Sequence, residues 1–413
     1  MQAILTSQDA KCRRFANNMI AALRQAGQKG SIHYEPSSFE LQFGDDPSTA
    51  KRMNLGNAFD LCCSLPLEQR QDAISNYAKA MCALDQETKT KPSFDKARDC
   101  LMPKIHARSV YENEPSSGAG ADKATASWHK PIGDHLAAGI GYDLPSGIMA
   151  IDNRDLAKWG VSGEEAFAIA CENLRRRSTE PFDTPAPGVF VSPWNDDYGS
   201  SRLVLTDLIR DLEVKGNHVA ITPDRDTLIV TGSEDPVGLN AMLDIAKEAF
   251  ERPYPVSGIP VLLRDGKWES FEPDKHYTDL EGFRTLRLQS LESACSQQKT
   301  AIESRRDSGD EFVASYFLVT PDRCELPTSF TVWSSGIKSL LPRTEKIVFV
   351  RSDRVQGKEI VACADWERVQ NVVGDLMKPM DLYPQRFSVE KFPTDEQLKE
   401  LGFAPEFKGL ASR

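Results

Sequence analysis

Two short polar segments in the middle of the chain carry the residue types best suited to holding a ligand. The first, 196–202, reads Asp-Asp-Tyr-Gly-Ser-Ser-Arg at the start of a helix predicted near 199–212. The second, 224–226, reads Asp-Arg-Asp at a predicted hairpin tip. Amides and hydroxyls at a helix start suit an anion, and Arg202 and Arg225 suit a carboxylate or phosphate. The candidate ligand-binding residues are Trp194, Ser200, Ser201, Arg202, Asp224, Arg225 and Asp226.

A structural role explains the same residue types without a ligand. Asp196 or Asp197 can cap the helix. Ser200 and Ser201 suit its first turn, and the Pro-Asp-Arg-Asp at 223–226 suits a tight turn. The two arginines would then form salt bridges to the neighbouring aspartates. We favour this structural interpretation of the segments, because turn and cap roles explain every residue type without a ligand.

An enzyme built on these segments would be a hydrolase or a transferase that acts on an anionic substrate. Asp224 or Asp226 would be the general base, and Ser200 or Ser201 a weak nucleophile. This alternative predicts a cleft that joins the two segments and a carboxylate whose pKa is raised.

Other catalytic and metal-binding patterns do not occur in the sequence. It has no glycine-rich phosphate loop after a strand, no nucleophile elbow, no His-Glu-x-x-His and no paired Cys-x-x-Cys. His129, Asp134 and His135 lie close in sequence, but no third ligand follows at a recognisable metal spacing. We therefore predict neither a metal site nor a cofactor.

The elements that would position the candidate residues belong to the middle of the chain. A strand at 188–192 precedes the first segment, and strands at 218–222 and 227–231 form the hairpin. Asp235 and Pro236 are typical first residues of the helix that follows. Because strands and helices cluster rather than alternate strictly, we predict an α+β fold with mixed or antiparallel sheets flanked by helices.

The length of 413 residues exceeds what one core usually supports, so we predict several domains. Linker-like composition at 112–127 and the proline-rich stretch 252–260 set the expected limits. The predicted parts are an N-terminal α+β unit at 1–111, a linker at 112–127, a central α+β domain at 128–251, a linker at 252–260 and a C-terminal α+β domain at 261–413.

Composition narrows the class of protein and its compartment. The net charge of −11 argues against broad nucleic-acid binding, and we interpret the basic run 175–177 as a helix end. The opening residues do not form a signal peptide, and no stretch is apolar enough to span a membrane. Nine cysteines without regular spacing favour reduced thiols and a cytoplasmic location.

Several separate segments of the chain form an ordered pattern: Phe39-x-Leu41-x-Phe43, Asn54-Leu55-x-Asn57-x-Phe59, Asp155 to Ser162, Ala170 to Leu174, Ser201-Arg202-Leu203 and Val219 to Leu228. This pattern resembles the YtpQ-like family of conserved bacterial proteins of unknown function. The segments match in order over about the first 251 residues. The resemblance implies a bacterial, cytoplasmic protein, supplies no activity, and leaves the C-terminal part outside it.

Two functions from different classes follow from these observations. The first is a binding or regulatory module that recognises a protein partner or a small anionic ligand, because no nucleophile, base and orienting residue can be assembled from the sequence. The alternative is the hydrolase or transferase at segments 196–202 and 224–226. We favour the binding module.

Overall fold

The structure is a computed structural model, and it describes residues 7–36, 39–45, 51–87, 92–113, 123–144, 147–273, 279–305, 311–319, 327–353 and 357–402. Within these ranges, no helix is both long enough and apolar enough to cross a membrane. The expected α+β class is confirmed, because several mostly antiparallel sheets pack against helices.

The N-terminal part is a three-stranded antiparallel sheet, ordered β1-β2-β3, that packs against helices. Its elements are α1 (Ser7–Gln25), β1 (Ile32–Glu35), β2 (Glu40–Phe43), β3 (Lys51–Asn54), α2 (Gly56–Ser64) and α3 (Arg70–Glu87). The apolar residues of α1 recur at helical spacing, so Phe15, Met19 and Leu23 all enter one buried cluster. Leu41 of β2 and Ile74 of α3 complete that core.

The next part is a sheet in which the central strand β6 pairs with three neighbours. Its elements are α4 (Phe94–Ala97), β4 (Leu101–Ala107), α5 (Arg108–Glu112), β5 (His129–Ile132), β6 (Leu136–Leu144), β7 (Gly147–Ala150), α6 (Asn153–Trp159) and α7 (Gly163–Arg176). One edge of β6 pairs with β4, and the other edge pairs with β5 and then β7. All three pairings are antiparallel.

A six-stranded antiparallel sheet, ordered β13-β12-β10-β11-β9-β8, carries the candidate segments. Its elements are β8 (Asp183–Ala186), β9 (Val189–Val191), α8 (Thr206–Arg210), β10 (His218–Asp224), β11 (Ile229–Gly232), α9 (Pro236–Phe250), β12 (Pro255–Arg264) and β13 (Lys267–Ser270). Asp235 caps α9 as predicted, because its carboxylate accepts the Gly238 N–H. One hydrophobic cluster joins this sheet to the preceding one, since it contains Ile105 of β4 and Ala220 of β10.

The C-terminal part contains the long helix α10 and two four-stranded sheets, ordered β14-β17-β21-β20 and β15-β16-β18-β19. Its elements are α10 (Leu280–Arg305), β14 (Phe312–Val313), β15 (Phe317–Val319), β16 (Thr328–Ser334), β17 (Ser339–Pro342), β18 (Lys346–Asp353), β19 (Gly357–Asp365), α11 (Trp366–Val373), β20 (Met377–Pro379), β21 (Arg386–Val389) and α12 (Asp395–Leu401). Both sheets are mixed, because β14 with β17 and β16 with β18 are parallel pairs.

The division into domains stays a prediction, but two of the predicted domain boundaries would separate strands that pair in one sheet. Residues 255–260 of the predicted linker are strand, because β12 lies between β10 and β13. Similarly, β4 belongs to the predicted N-terminal unit but pairs with β6 along its whole length. Of the predicted linker 112–127, residues 114–122 lie outside the described ranges.

Candidate functional site

The two predicted segments are in direct contact, and we call residues 194–202 and 222–228 together the loop–hairpin cluster. The Ser200 N–H donates to the carbonyl of Arg225 at 3.0 Å. A Cβ atom on Gly199 would lie 1.9 Å from the carbonyl oxygen of Asp226, so only glycine permits this approach. The sequence therefore predicted correctly that these segments meet.

The helix expected at 199–212 is broken into a short 3₁₀ helix, Ser200–Val204, and α8. Neither aspartate caps it, because its N-cap position is Gly199 and no side chain accepts a hydrogen bond there. The N–H groups of Ser201 and Arg202 donate to the carbonyls of Tyr198 and Gly199. The predicted anion site at a helix start is therefore wrong, since local carbonyls already accept from these amides.

Arg202 is fully buried and its hydrogen bonds serve the fold. Its two terminal nitrogens each donate to one carboxylate oxygen of Asp196 at 2.9 Å, and Nε donates to the Ser178 hydroxyl at 2.8 Å. The guanidinium also lies 4.0 Å from the ring centre of Trp194. Burial alone would raise the pKa of Asp196, but the hydrogen bonds and charge of Arg202 outweigh it and the pKa is lowered. Arg202 thus forms a structural salt bridge with Asp196, as the structural interpretation predicted.

Ser200 and Ser201 are both buried, with about 1% of each residue exposed. The hydroxyl of Ser201 accepts the backbone N–H of Ile105 at 3.2 Å, which fastens the 3₁₀ helix to β4. The Ser201 hydroxyl therefore holds two elements together and does not face a substrate.

Asp224 ends β10 and holds the turn at the hairpin tip. Its carboxylate accepts the Asp226 N–H at 2.8 Å, and Arg252 lies 3.8 Å away. Burial raises the pKa of Asp224, while a hydrogen bond from Thr227 opposes the rise. The raised pKa that the enzyme alternative requires is therefore present, on a carboxylate that already organises a turn.

Arg225 differs from Arg202 because part of its guanidinium remains available. Its Nε and Nη2 donate to one oxygen of Asp226 at 3.2 and 3.1 Å, and Nη2 lies 2.5 Å from Asp197 Oδ1. The guanidinium stacks on Tyr254, 4.3 Å from the ring centre, and the side chain is 27% exposed. No residue in the described ranges hydrogen-bonds Nη1.

Lys104 of β4 is a second cation of the cluster, and sequence reasoning missed it. Its ammonium donates to the carbonyl of Asp197 at 2.6 Å and lies 4.7 Å from the ring centre of Tyr198. Burial and then the nearby Arg225 lower the pKa of Lys104 to about 8. Its signal was a lysine inside a mostly apolar strand, since charged side chains are rarely buried.

Asp197 is the point at which the two cations converge. Its carboxylate contacts Arg225, its carbonyl accepts from Lys104, and its φ of 66° places it in the left-handed region. Left-handed backbone is uncommon outside glycine, although aspartate tolerates it better than most residues. The local backbone thus directs one residue at both Lys104 and Arg225.

Three buried side-chain atoms of the described residues have no hydrogen-bond partner, and all three belong to the loop–hairpin cluster. They are Trp194 Nε1, Thr222 Oγ1 and Asp226 Oδ1. Buried polar atoms in folded proteins are almost always paired, with a protein group or with ordered water.

The residues considered for a metal have other partners. His129 stacks on Tyr111 at 4.9 Å, and His135 Nδ1 lies 2.9 Å from the Tyr383 hydroxyl. Asp134 accepts a hydrogen bond from Ser270. Among the residues that the structure describes, no three His, Cys, Asp or Glu side chains form a group that could hold a metal ion.

The basic run 175–177 is neutralised locally. Arg175 pairs with Asp207, Arg176 with Glu172 and Arg177 with Asp143. Each arginine therefore has its own carboxylate.

Two surface cavities lie elsewhere on the molecule. One of about 560 Å³ lies between α10 and residues 315–317, and one of about 530 Å³ lies between α7 and residues 95–99. No residue of the loop–hairpin cluster lines either of them. A ligand of the cluster would therefore bind at a separate surface site around Arg225.

Comparison of the chain with protein-family models, with curated proteins and with solved structures gave no match. The resemblance to the YtpQ-like family therefore stays a prediction, and the function is argued from the geometry of the site.

Proposed function

We propose that the chain is a binding protein that recognises a small anionic ligand, through a carboxylate or phosphate group, at the loop–hairpin cluster. The observation that supports this most directly is the state of Arg225. Its guanidinium is oriented by two carboxylates and one aromatic ring, is 27% exposed, and has Nη1 without a partner in the described ranges. A fixed guanidinium with free donors is a suitable anion receptor.

Lys104 strengthens the case for an anion. Burial is the main cause of the lowered pKa of Lys104, and the charge of Arg225 lowers it further, so the two cations repel each other across Asp197. A bound anion would reduce that repulsion and favour the protonated amine. Anion binding is therefore expected to weaken as pH rises through the pKa of Lys104 at about 8.

The geometry favours binding over the hydrolase or transferase alternative. The hydroxyl of Ser201 is occupied by the Ile105 N–H, and Asp224 is occupied by the turn that it holds. A nucleophile and a base must lie within hydrogen-bond reach of each other, and no such pair involves either serine in the described residues.

Two further parts of the proposal rest on the sequence. We propose a bacterial protein of the YtpQ-like family, on the matching segments within residues 1–251. We also propose a cytoplasmic location, which the cysteine pattern supports.

Isothermal titration calorimetry with phosphate, acetate, citrate and L-glutamate tests the proposal. The wild type should bind at least one of these anions, and Arg225→Ala should weaken it about tenfold or more, the loss of one charge-assisted contact. The matched control is Arg264→Ala, because Arg264 is also surface-exposed and paired with one carboxylate, Glu269. Arg264 ends β12 about 24 Å from the cluster, by the strand rise along β10 from Asp224 to Val219 and then along β12 from Leu262.

Variants must first show the same melting temperature as the wild type. Equal anion affinity of wild type and Arg225→Ala would overturn the proposal, as would a lack of binding by all four anions. Unchanged binding by Arg264→Ala would show that the effect belongs to Arg225 rather than to surface charge in general.

A further inference from the structure

The cavity of about 560 Å³ beside α10 is lined by groups that the proposed function does not use. Its volume lies in the range of roughly 300–1,000 Å³ that is usual for small-molecule sites. Ser315 and Phe317 form part of one side. The other side is a face of α10, whose lining residues include four at the spacing i, i+3, i+4 and i+7: Gln289, Glu292, Ser293 and Ser296. A single small molecule in the cavity can thus contact both sides.

Two serine hydroxyls on the α10 side are free, unlike the other hydroxyls of that helix. A hydroxyl inside a helix commonly donates to a backbone carbonyl about one turn earlier. The other four hydroxyl side chains of the helix make such bonds: Thr285, Ser290, Thr300 and Ser304. Ser293 and Ser296 make no side-chain hydrogen bond to any described residue, so both hydroxyls are available to a molecule in the cavity.

Phe317 gives the cavity a fixed aromatic ring. The ring stacks on Phe330, with the ring centres 5.1 Å apart and an interplanar angle of 25°, and the residue is still 42% exposed. The face of an aromatic ring is electron-rich and attracts C–H groups that carry partial positive charge. Phe317 is therefore a ready support for a ligand that presents C–H groups to the protein.

The charged groups of the cavity do not favour a charged ligand. Among the described residues that line it, the charged side chains are Glu292 and Lys299, which have opposite signs. Lys299 already donates to the Ser315 hydroxyl at 2.8 Å and lies 3.7 Å from Glu303. Burial raises the pKa of Glu292, and a hydrogen bond from the backbone of Leu318 opposes that rise. A partly buried carboxylate is a good acceptor for hydroxyl groups, because such hydrogen bonds are charge-assisted.

A sugar ring matches this combination of groups. Its hydroxyls both donate and accept, so they can bond the serine hydroxyls, the Gln289 amide and the Glu292 carboxylate. Its C–H groups form an apolar patch on the face of the ring, which suits Phe317. A purely apolar ligand would instead remove the polar groups from water without replacing their hydrogen bonds.

We propose that this cavity binds a neutral sugar, with the sugar ring packed on Phe317 and its hydroxyls bonded to Glu292, Ser293 and Ser296. The site lies outside the loop–hairpin cluster, none of whose residues lines the cavity. The sugar site therefore stands or fails independently of anion binding at Arg225.

Saturation-transfer difference nuclear magnetic resonance on the full chain tests the proposal with D-glucose, D-galactose, D-mannose and maltose. The wild type should bind at least one of these sugars in a saturable manner. Glycerol carries hydroxyls but no ring, so its affinity should be lower by about tenfold or more.

Two changes separate the aromatic and the polar contributions. Phe317→Ala should weaken sugar binding about fivefold, the effect of losing one aromatic contact. Ser293→Ala combined with Ser296→Ala should weaken it about tenfold or more, the effect of losing two neutral hydrogen bonds. The matched controls are Phe312→Ala and Ser304→Ala, which change exposed residues of the same types outside the cavity and should bind as the wild type does.

All variants must melt at the same temperature as the wild type. Saturable binding of none of the four sugars would overturn the proposal, as would equal sugar affinity of the wild type, Phe317→Ala and the serine double variant. The wild type alone also decides the matter, because glycerol bound as tightly as the sugars would show that no ring is recognised.

Discussion

Arg202 and Arg225 are the same residue type in one cluster, but their surroundings give them opposite roles. Arg202 is fully buried against Asp196, whereas Arg225 is partly exposed between the partly exposed carboxylates of Asp197 and Asp226. Removing one partner of a buried pair leaves the other charge uncompensated, so Arg202→Ala should lower the free energy of unfolding by about 3 kcal/mol. Arg225→Ala should cost about 1 kcal/mol or less, as for other surface pairs.

Urea denaturation of the two single variants measures this difference directly. A loss of stability in Arg225→Ala as large as that in Arg202→Ala would contradict the separation of roles. On the same samples, Arg225→Ala should weaken ligand binding more than Arg202→Ala does.

The burial of Lys104 predicts a specific pH dependence of stability. Burial and the charge of Arg225 lower its pKa from 10.5 to about 8, so between these pH values the unfolded chain holds a proton that the folded chain has lost. The free energy of unfolding should therefore rise with pH in this window, by at most about 3 kcal/mol. The cost of burying the charge is fully present below pH 8 and is gone above pH 10.5.

Lys104→Met is the matched control, because methionine has similar length and no charge. The difference in unfolding free energy between wild type and Lys104→Met, followed by urea titration at successive pH values, isolates this group from tyrosines and other lysines. A difference that does not change across the window would show that Lys104 keeps an ordinary pKa.

At the residue scale the sequence predicted the meeting of the two segments but not the role of each side chain. The sequence does not distinguish the buried Arg202 from the partly exposed Arg225, because the exposure of each side chain depends on the neighbours that pack around it. Lys104 lies about 90 residues before its partner Asp197, and contacts at such separation leave no local pattern. Tyr254 was missed for the same reason, because it reaches Arg225 only through the pairing of β10 with β12.

At the scale of elements, the close packing of the 3₁₀ helix on the hairpin depends on Gly199. Its backbone lies in the right-handed helical region, with φ −51° and ψ −56°, so alanine would be free of torsional strain. The added Cβ would instead collide with the backbone of Asp226 at 1.9 Å. Gly199→Ala should therefore separate the two segments, destabilise the protein by about 2 kcal/mol and weaken ligand binding.

Gly374→Ala is the control, because Gly374 has a similar backbone conformation and its nearest neighbour is the flexible end of Gln370 at 3.3 Å. Thermal unfolding and calorimetry on both variants make the comparison. Equal behaviour of the two alanine variants would mean that the segments are not held together by this contact.

Prolines explain why the strands β4 and β12 were not predicted from the sequence. Pro103 lies inside β4 and Pro260 inside β12, and proline normally argues against a strand. β4 is an edge strand, and the pairing of β12 with β10 shifts register between Ala220 and Thr222. Edges and bulges are the places where a strand tolerates proline, so tertiary pairing overrode the local signal.

Segments with strong local patterns were predicted well. The Asp235 cap of α9 and the antiparallel hairpin β10–β11 both agree with the structure. Each of these depends on residues close in sequence, whereas β4, β12 and the site around Arg225 depend on distant ones.

At the scale of the whole molecule, the sheets indicate which segments must fold together. The fragment 128–251 lacks β4, which pairs with β6 at seven positions, and also lacks β12, which lies between β10 and β13. We expect this fragment not to unfold cooperatively, because its cores would be open. The fragment 92–273 contains both sheets and their shared cluster, so it should fold on its own.

Thermal denaturation followed by circular dichroism compares the two fragments. A cooperative transition in 128–251 would support the domain limits predicted from the sequence. A cooperative transition only in 92–273 would support a central unit that begins before β4 and ends after β13.

The central claim, that Arg225 is a receptor for a small anionic ligand, is tested most directly by nuclear magnetic resonance of protein labelled with ¹⁵N in arginine side chains. The Arg225 signal is assigned by its loss in Arg225→Lys, and L-glutamate and phosphate are then titrated. The account predicts that the Arg225 signal shifts in a saturable manner with at least one ligand, while the buried Arg202 and the distant Arg264 change little. A saturable change at other arginines with Arg225 unmoved, or no change at any arginine, would contradict it.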